Sequence, residues 1–160
     1  DEIIPNINKE YPLVVILDHL EDPHNFGAII RSSEAFGIDA IIIPNDRSVD
    51  ITSTVVKTSV GTIEKMKIIK VSNINNAIEK LKKYGYWIVG TDMEGVPYTT
   101  IDYKTKIAIV IGNEGKGISD LVSKNCDYLA KIPMVGTVNS LNASVACGIF
   151  LAEINRSRGV

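Results

Sequence analysis

Long apolar runs are missing. No stretch of the 160 residues approaches the ~20 consecutive apolar residues that cross a bilayer, although 45% of the chain is hydrophobic. Cysteine is scarce. Cys126 and Cys147 form neither a CxxC pair nor a metal-ligand spacing, so core thiols in a reducing cytoplasm are expected rather than a disulfide or a metal site. A basic surplus is also missing, since 17 Lys and Arg face 19 Asp and Glu, for a net charge of -2. Strong nucleic-acid binders usually carry such a surplus. Any nucleic acid would have to be gripped locally, or with help from another domain or subunit. The opening DEIIPNINKE lacks the basic and apolar regions of a signal peptide and has no initiator Met. Asp1 to Pro12 reads as linker-like, and one domain over 13–160 is expected.

The rest of the chain alternates short β-branched runs with helical patterns. LVVIL (13–17), AIIIP (40–44), MKIIKV (66–71), YWIVGT (86–91), KIAIVIG (106–112) and DYLAKIP (127–133) read as strands. FGAIIRSSEAFG, ITSTVVKTSVG, NNAIEKLKKYG and 142–157 read as helices, with Gly37 and Gly85 as stops. Apolar rather than alternating strands point to an α/β fold with a parallel sheet. In such sheets ligands sit at the carboxyl ends of strands, so the loops after strands carry the functional signal.

Four of those loops are informative. In DHLEDPHNFGAIIR, Asp22-Pro23 marks a turn and Asn25 reads as a helix cap. His19 and His24 read as loop residues. Arg31 follows Ala28, Ile29 and Ile30 on a helix expected to be largely buried, where an arginine pairs with a carboxylate or binds an anion. GTDMEGVPY reads as a small-residue turn around Thr91, with Asp92 and Glu94 as solvated charges. IGNEGKGIS carries Gly112, Gly115 and Gly117, so its backbone bends sharply or approaches a ligand. Its order, G-x-x-G-x-G, fits neither a dinucleotide fingerprint nor a P-loop. Finally, GTVNSLNAS sets Thr137, Asn139, Ser140 and Asn142 within an apolar region. One of them could cap the last helix, but four exceed that need.

Taken together, NFGAIIRSSEAFG, IVIGNEGKGIS and IPMVGTVNSLNASVA resemble the three motifs of the SpoU (TrmH-type) RNA ribose 2'-O-methyltransferases, in order and spacing from about Leu13 to Arg158. DPHN, PNDRS and SLNASVA are similar to the branch that methylates a guanosine in 23S rRNA, with the tRNA guanosine branch as the alternative. The resemblance implies an α/β trefoil knot, which topology rules alone would not produce because true knots are nearly absent from folds. It also implies S-adenosylmethionine bound in the knot, a homodimer, and no metal or membrane. By similarity, Thr91, Gly112, Ile132 and Leu141 would contact the cofactor. Arg31 would be the central catalytic residue, with Asn25, Glu114, Ser140 and Asn142 around it. Related rRNA enzymes carry an N-terminal RNA-binding domain, so this chain is expected to be the catalytic part of a longer protein. A non-catalytic binding module of the same fold is the contrasting reading, and the presence of all five catalytic-motif residues argues against it. The sequence assigns Arg47 to neither RNA nor a partner subunit. The last helix is apolar on more than one face, through Val145, Ile149, Phe150 and Ile154, which suits a dimer interface as well as a core.

Overall fold

The strands are apolar on both faces, and both faces are covered. The computed structural model describes residues 3–45, 66–113, 116–138 and 140–160. Six parallel strands form one sheet: β1 (Leu13–Asp18), β2 (Ala40–Pro44), β3 (Ile68–Val71), β4 (Trp87–Pro97), β5 (Ile107–Gly112) and β6 (Tyr128–Lys131). Their order is β3-β2-β1-β5-β4-β6. Among the described residues, the α-helices are α1 (Pro23–Ala35), α2 (Ile74–Lys83), α3 (Asp120–Asn125) and α4 (Ala143–Ser157). On one face, Leu13, Val15 and Leu17 of β1 pack with Phe26, Ile29 and Ile30 of α1 and with Cys147, Phe150 and Ile154 of α4. On the other, Val14 and Ile16 pack with Ile74, Ile78 and Leu81 of α2 and Val122 of α3. Alternation along one strand thus feeds two cores, as a parallel sheet requires.

Two sequence expectations are corrected, and one helix is added. Helix α1 begins at Pro23, and Asp22 caps it by accepting from the His24 N–H at 2.9 Å. Asn25 therefore lies inside the first turn and is no cap. Strand β4 does not end at Thr91. It runs on to Pro97 through a register shift between Thr91 and Val96, both of which pair with Ala130. A bulge replaces the expected turn, because Gly95 lets β4 approach β6. A Cβ there would lie 2.3 Å from the Leu129 carbonyl oxygen. The short helix α3 lies in a stretch with no amphipathic repeat long enough to reveal it. The expected helix 51–61, Arg47, Glu114 and Asn139 lie outside the described residues. Both cysteines are free, and burial pushes each thiol up to about 12.

Candidate functional site

Strands β4, β5 and β6 end around one cleft of about 700 Å³. Its walls include Thr91 from β4, Gly112 from β5, and Ile132, Ser140 and Leu141 from the segment between β6 and α4. That segment leaves an edge strand, yet α4 packs against α1 on the far side of β5, so the chain crosses the carboxyl ends of the sheet.

The glycine loop is built by close backbone approach. A Cβ on Gly112 would lie 2.3 Å from the carbonyl carbon of Gly117, so no side chain fits there. Asn113 and Gly117 exchange backbone hydrogen bonds at 3.1 and 2.9 Å, and Gly117 adopts φ +70°. This loop is tied to β1. The buried Asp18 carboxylate accepts from the Ser119 N–H at 2.7 Å and from His19 Nδ1 at 2.6 Å. Asn113 Nδ2 donates to the His19 carbonyl at 2.9 Å. His19 stands at φ 59°, a conformation costing about 1 kcal/mol, and these bonds offset that cost.

The Thr91 hydroxyl donates to the Val110 carbonyl at 3.0 Å, so its backbone and methyl group remain for the cleft. The bulge carries Asp92, Met93 and Glu94 onto the cleft wall. By sequence those carboxylates read as solvated loop charges. Asn113, Lys116 and Met134 are further wall residues that the motifs did not single out. Their signal was proximity to strand ends, which only the strand order could resolve.

The catalytic-motif residues are less gathered. Asn142 is the N-cap of α4: its Oδ1 accepts from the backbone N–H groups of Ser144 and Val145 and from the Ser144 hydroxyl. The capping role is real, and it occupies the oxygen rather than the amide N–H groups. Asn25 is 4% exposed, and its Nδ2 has no partner among the described residues. A buried donor left so is costly unless something else receives it. Arg31 is exposed, contrary to expectation, while its neighbours Ile29 and Ile30 are buried. It has no hydrogen bond or ion pair among the described residues. Neither Arg31 nor Asn25 lines the cleft; both stand on α1, the helix beside α4.

Residues 12–152 match the SpoU rRNA Methylase family. A Staphylococcus epidermidis protein named for the TrmH family of tRNA/rRNA methyltransferases is 48% identical over 161 residues, covering 99% of this chain and 65% of its own length. The chain thus spans slightly less than two thirds of that relative. The SpoU methyltransferase AviRb from Streptomyces viridochromogenes superposes with a TM-score of 0.90 at 28% identity, covering 99% of this chain and 63% of that one. Its complex with the cofactor AdoMet gives 0.88 at 27% identity, with 99% and 64% covered. A TrmH/SpoU tRNA modifying enzyme from A. aeolicus gives 0.86 at 32% identity, with 94% and 77% covered. The fold is accordingly that of the SpoU methyltransferases, the α/β trefoil knot.

Proposed function

The chain belongs to the SpoU rRNA Methylase family, and on that premise we propose that it methylates a ribose 2'-hydroxyl of RNA at the expense of S-adenosyl-L-methionine. The observation that carries this reading is the cleft at the carboxyl ends of β4, β5 and β6, formed by the same motifs that mark the family. Its volume suits a ligand of nucleoside size. Ile132 and Leu141 offer apolar surface to a purine, and the lack of a side chain on Gly112 lets the Gly117 backbone close against the end of β5 beside it. Asp92 and Glu94 bring carboxylates to a wall that would face a cationic sulfonium and ammonium. A neighbour of the same fold holds AdoMet.

When bound, the cofactor supplies a methyl group activated by its sulfonium. The chain's own residues then position and polarise the nucleophile. A ribose hydroxyl reacts well only as its proton leaves. A charged guanidinium has no acceptor site, and only burial or neighbouring charge would make it neutral. Arg31 is exposed, which removes the burial that a neutral base would need. Arg31 therefore acts as a cation: it stabilises the developing alkoxide and fixes the adjacent phosphate, which takes the proton. The unpartnered Nδ2 of Asn25 donates to the ribose or orients the nucleotide. The Asn142 amide N–H groups and the Ser140 hydroxyl supply further hydrogen bonds.

Within this class, the DPHN, PNDRS and SLNASVA segments favour a guanosine of 23S rRNA as substrate. The tRNA reading keeps a specific support, the likeness to a tRNA modifying enzyme. Transfer of labelled methyl from the cofactor to unmodified 23S rRNA, with tRNA in parallel, decides between them. Label in rRNA alone is the expected result. Label in tRNA alone overturns the substrate assignment, and label in neither overturns the enzyme reading.

A homodimer accompanies this function. Of the α4 residues that suggested an interface, Phe150 and Ile154 are core and Ile149 is half-buried, while Val145 is exposed. Val145 offers an apolar contact to a second copy. Sedimentation at micromolar concentration should show a dimer, and a monomer there would contradict it.

A further inference from the structure

The net charge of -2 conceals a local concentration of lysines around α2. A second cleft, of about 490 Å³, lies under α2 and is lined by Lys70, Lys80, Lys83 and Tyr84. From Tyr84 a series of contacts leads on to β4. The Lys106 Nζ donates to the Tyr84 carbonyl at 3.1 Å, and the Trp87 N–H donates to the Lys106 carbonyl at 2.8 Å. Trp87 then meets Tyr128, with ring centroids 6.1 Å apart and planes tilted by 40°. Lys82 stands 3.9 Å from Asp127, next to Tyr128 in the chain. The carboxylates on this track are Glu79 and Asp127, and Asp127 also accepts from the Ile88 N–H.

Three aromatic side chains are exposed along it: Trp87 at 46%, Tyr128 at 42% and Tyr84 at 37%. Trp87 is the one tryptophan of the chain, and it contributes little to the core while so exposed. The tilt of the Trp87–Tyr128 pair leaves the outer ring faces open to a planar partner. Aromatic faces interleaved with ammonium groups match single-stranded RNA, whose bases stack and whose phosphates attract cations. A second copy fits badly, because a two-fold interface on this patch would set lysines against lysines.

We propose that the track from Lys80 and Lys83 through Tyr84 and Lys106 to the Trp87–Tyr128 pair binds a single-stranded stretch of the RNA substrate, outside the nucleotide that is methylated. The proposal rests on the RNA reading above but concerns a different surface. Trp87 opens β4 and Thr91 lines the methyl-donor cleft, roughly 13 Å further along the strand at ~3.3 Å per residue. RNA that reaches both must cross the sheet from end to end. The track thus supplies the local grip that the chain's overall charge does not.

Trp87 reports on its own occupancy. Titrating the protein with a uridine oligonucleotide at low salt should quench the single tryptophan emission, whereas duplex RNA should leave it unchanged. The double substitution Lys83→Glu/Lys106→Glu should weaken binding about tenfold or more and reduce the salt slope by about 1.4, at ~0.7 per lost single-strand phosphate contact. Trp87→Ala/Tyr128→Ala, followed by anisotropy of labelled RNA, should weaken it about tenfold as well. Melting curves verify that each variant is folded. Absence of quenching, or quenching that survives the charge reversal, overturns the proposal. So does quenching by an acidic peptide but not by RNA, which would make this a protein-docking face. Quenching by RNA without methyl transfer would overturn the enzymatic reading and leave this surface standing.

Discussion

Arg31 is the residue on which the proposed chemistry turns, and its setting differs from what its neighbours suggested. Three apolar residues precede it, but Ile29 and Ile30 point into the core while Arg31 is exposed. Linear context cannot resolve this, because the face a helical residue takes depends on which stripe packs. The exposure separates two mechanisms. Arg31→Lys keeps a charge but loses the planar fork and its delocalisation. Transfer should fall roughly 100-fold or more at every pH, by analogy with removing an oxyanion donor, while affinity for the methyl donor is unchanged. Substantial recovery at raised pH would instead indicate a titrating base. Asp18 marks the opposite limit of legibility. It reads as the plain first residue of the loop after an apolar strand, yet its carboxylate ties the glycine loop to β1. A bond across 101 residues has no local signature.

At the scale of elements, the segment from Ile132 to α4 resolves a choice that composition left open. Capping and ligand contact were competing explanations for Ser140 and Asn142. The structure gives the cap to Asn142 Oδ1 and places Ser140 and Leu141 on the cleft wall. Substitution can separate the two duties of Asn142. Asn142→Ala removes the cap and should cost about 1 kcal/mol in chemical denaturation. Asn142→Asp keeps an accepting oxygen but lacks the amide N–H groups, so stability should be retained while transfer falls. Retained transfer in Asn142→Asp would mean that Asn142 is a cap alone. Strand positions were legible throughout because apolar runs bounded by Gly and Pro leave little choice. The continuation of β4 was not, since Asp92 and Glu94 have low strand propensity and pairing with β6 resumes only at Val96, beyond them.

For the whole molecule, periodicity gave the layers but not the order of the strands. Sequence neighbours β4 and β5 exchange places relative to the chain, with β5 set beside β1. No local pattern encodes that crossing, and the knot became legible only through the joint motifs. One residue closes the structure at its ends. Arg158 donates to the carbonyls of Tyr11, Tyr103 and Thr105 at 2.8 to 3.0 Å, and its guanidinium lies 5.7 Å from the Tyr11 ring. It joins the C-terminal helix to the strand that opens the sheet. Arg158→Lys cannot reproduce this fork and should lower stability by about 2 kcal/mol, read in denaturant unfolding. An unchanged midpoint would show that the ends hold without it.

In the proposed reaction, the cleft at the carboxyl ends of β4, β5 and β6 holds the methyl donor. Calorimetric titration with S-adenosyl-L-methionine, on the wild-type chain and on Gly112→Ala with melting curves for both, tests this placement. One site per chain is expected in the wild type. Binding at least about tenfold weaker is expected in the variant, whose added methyl group collides with the Gly117 backbone. A folded wild type that takes up no donor, or a folded Gly112→Ala that binds it equally well, would contradict this placement.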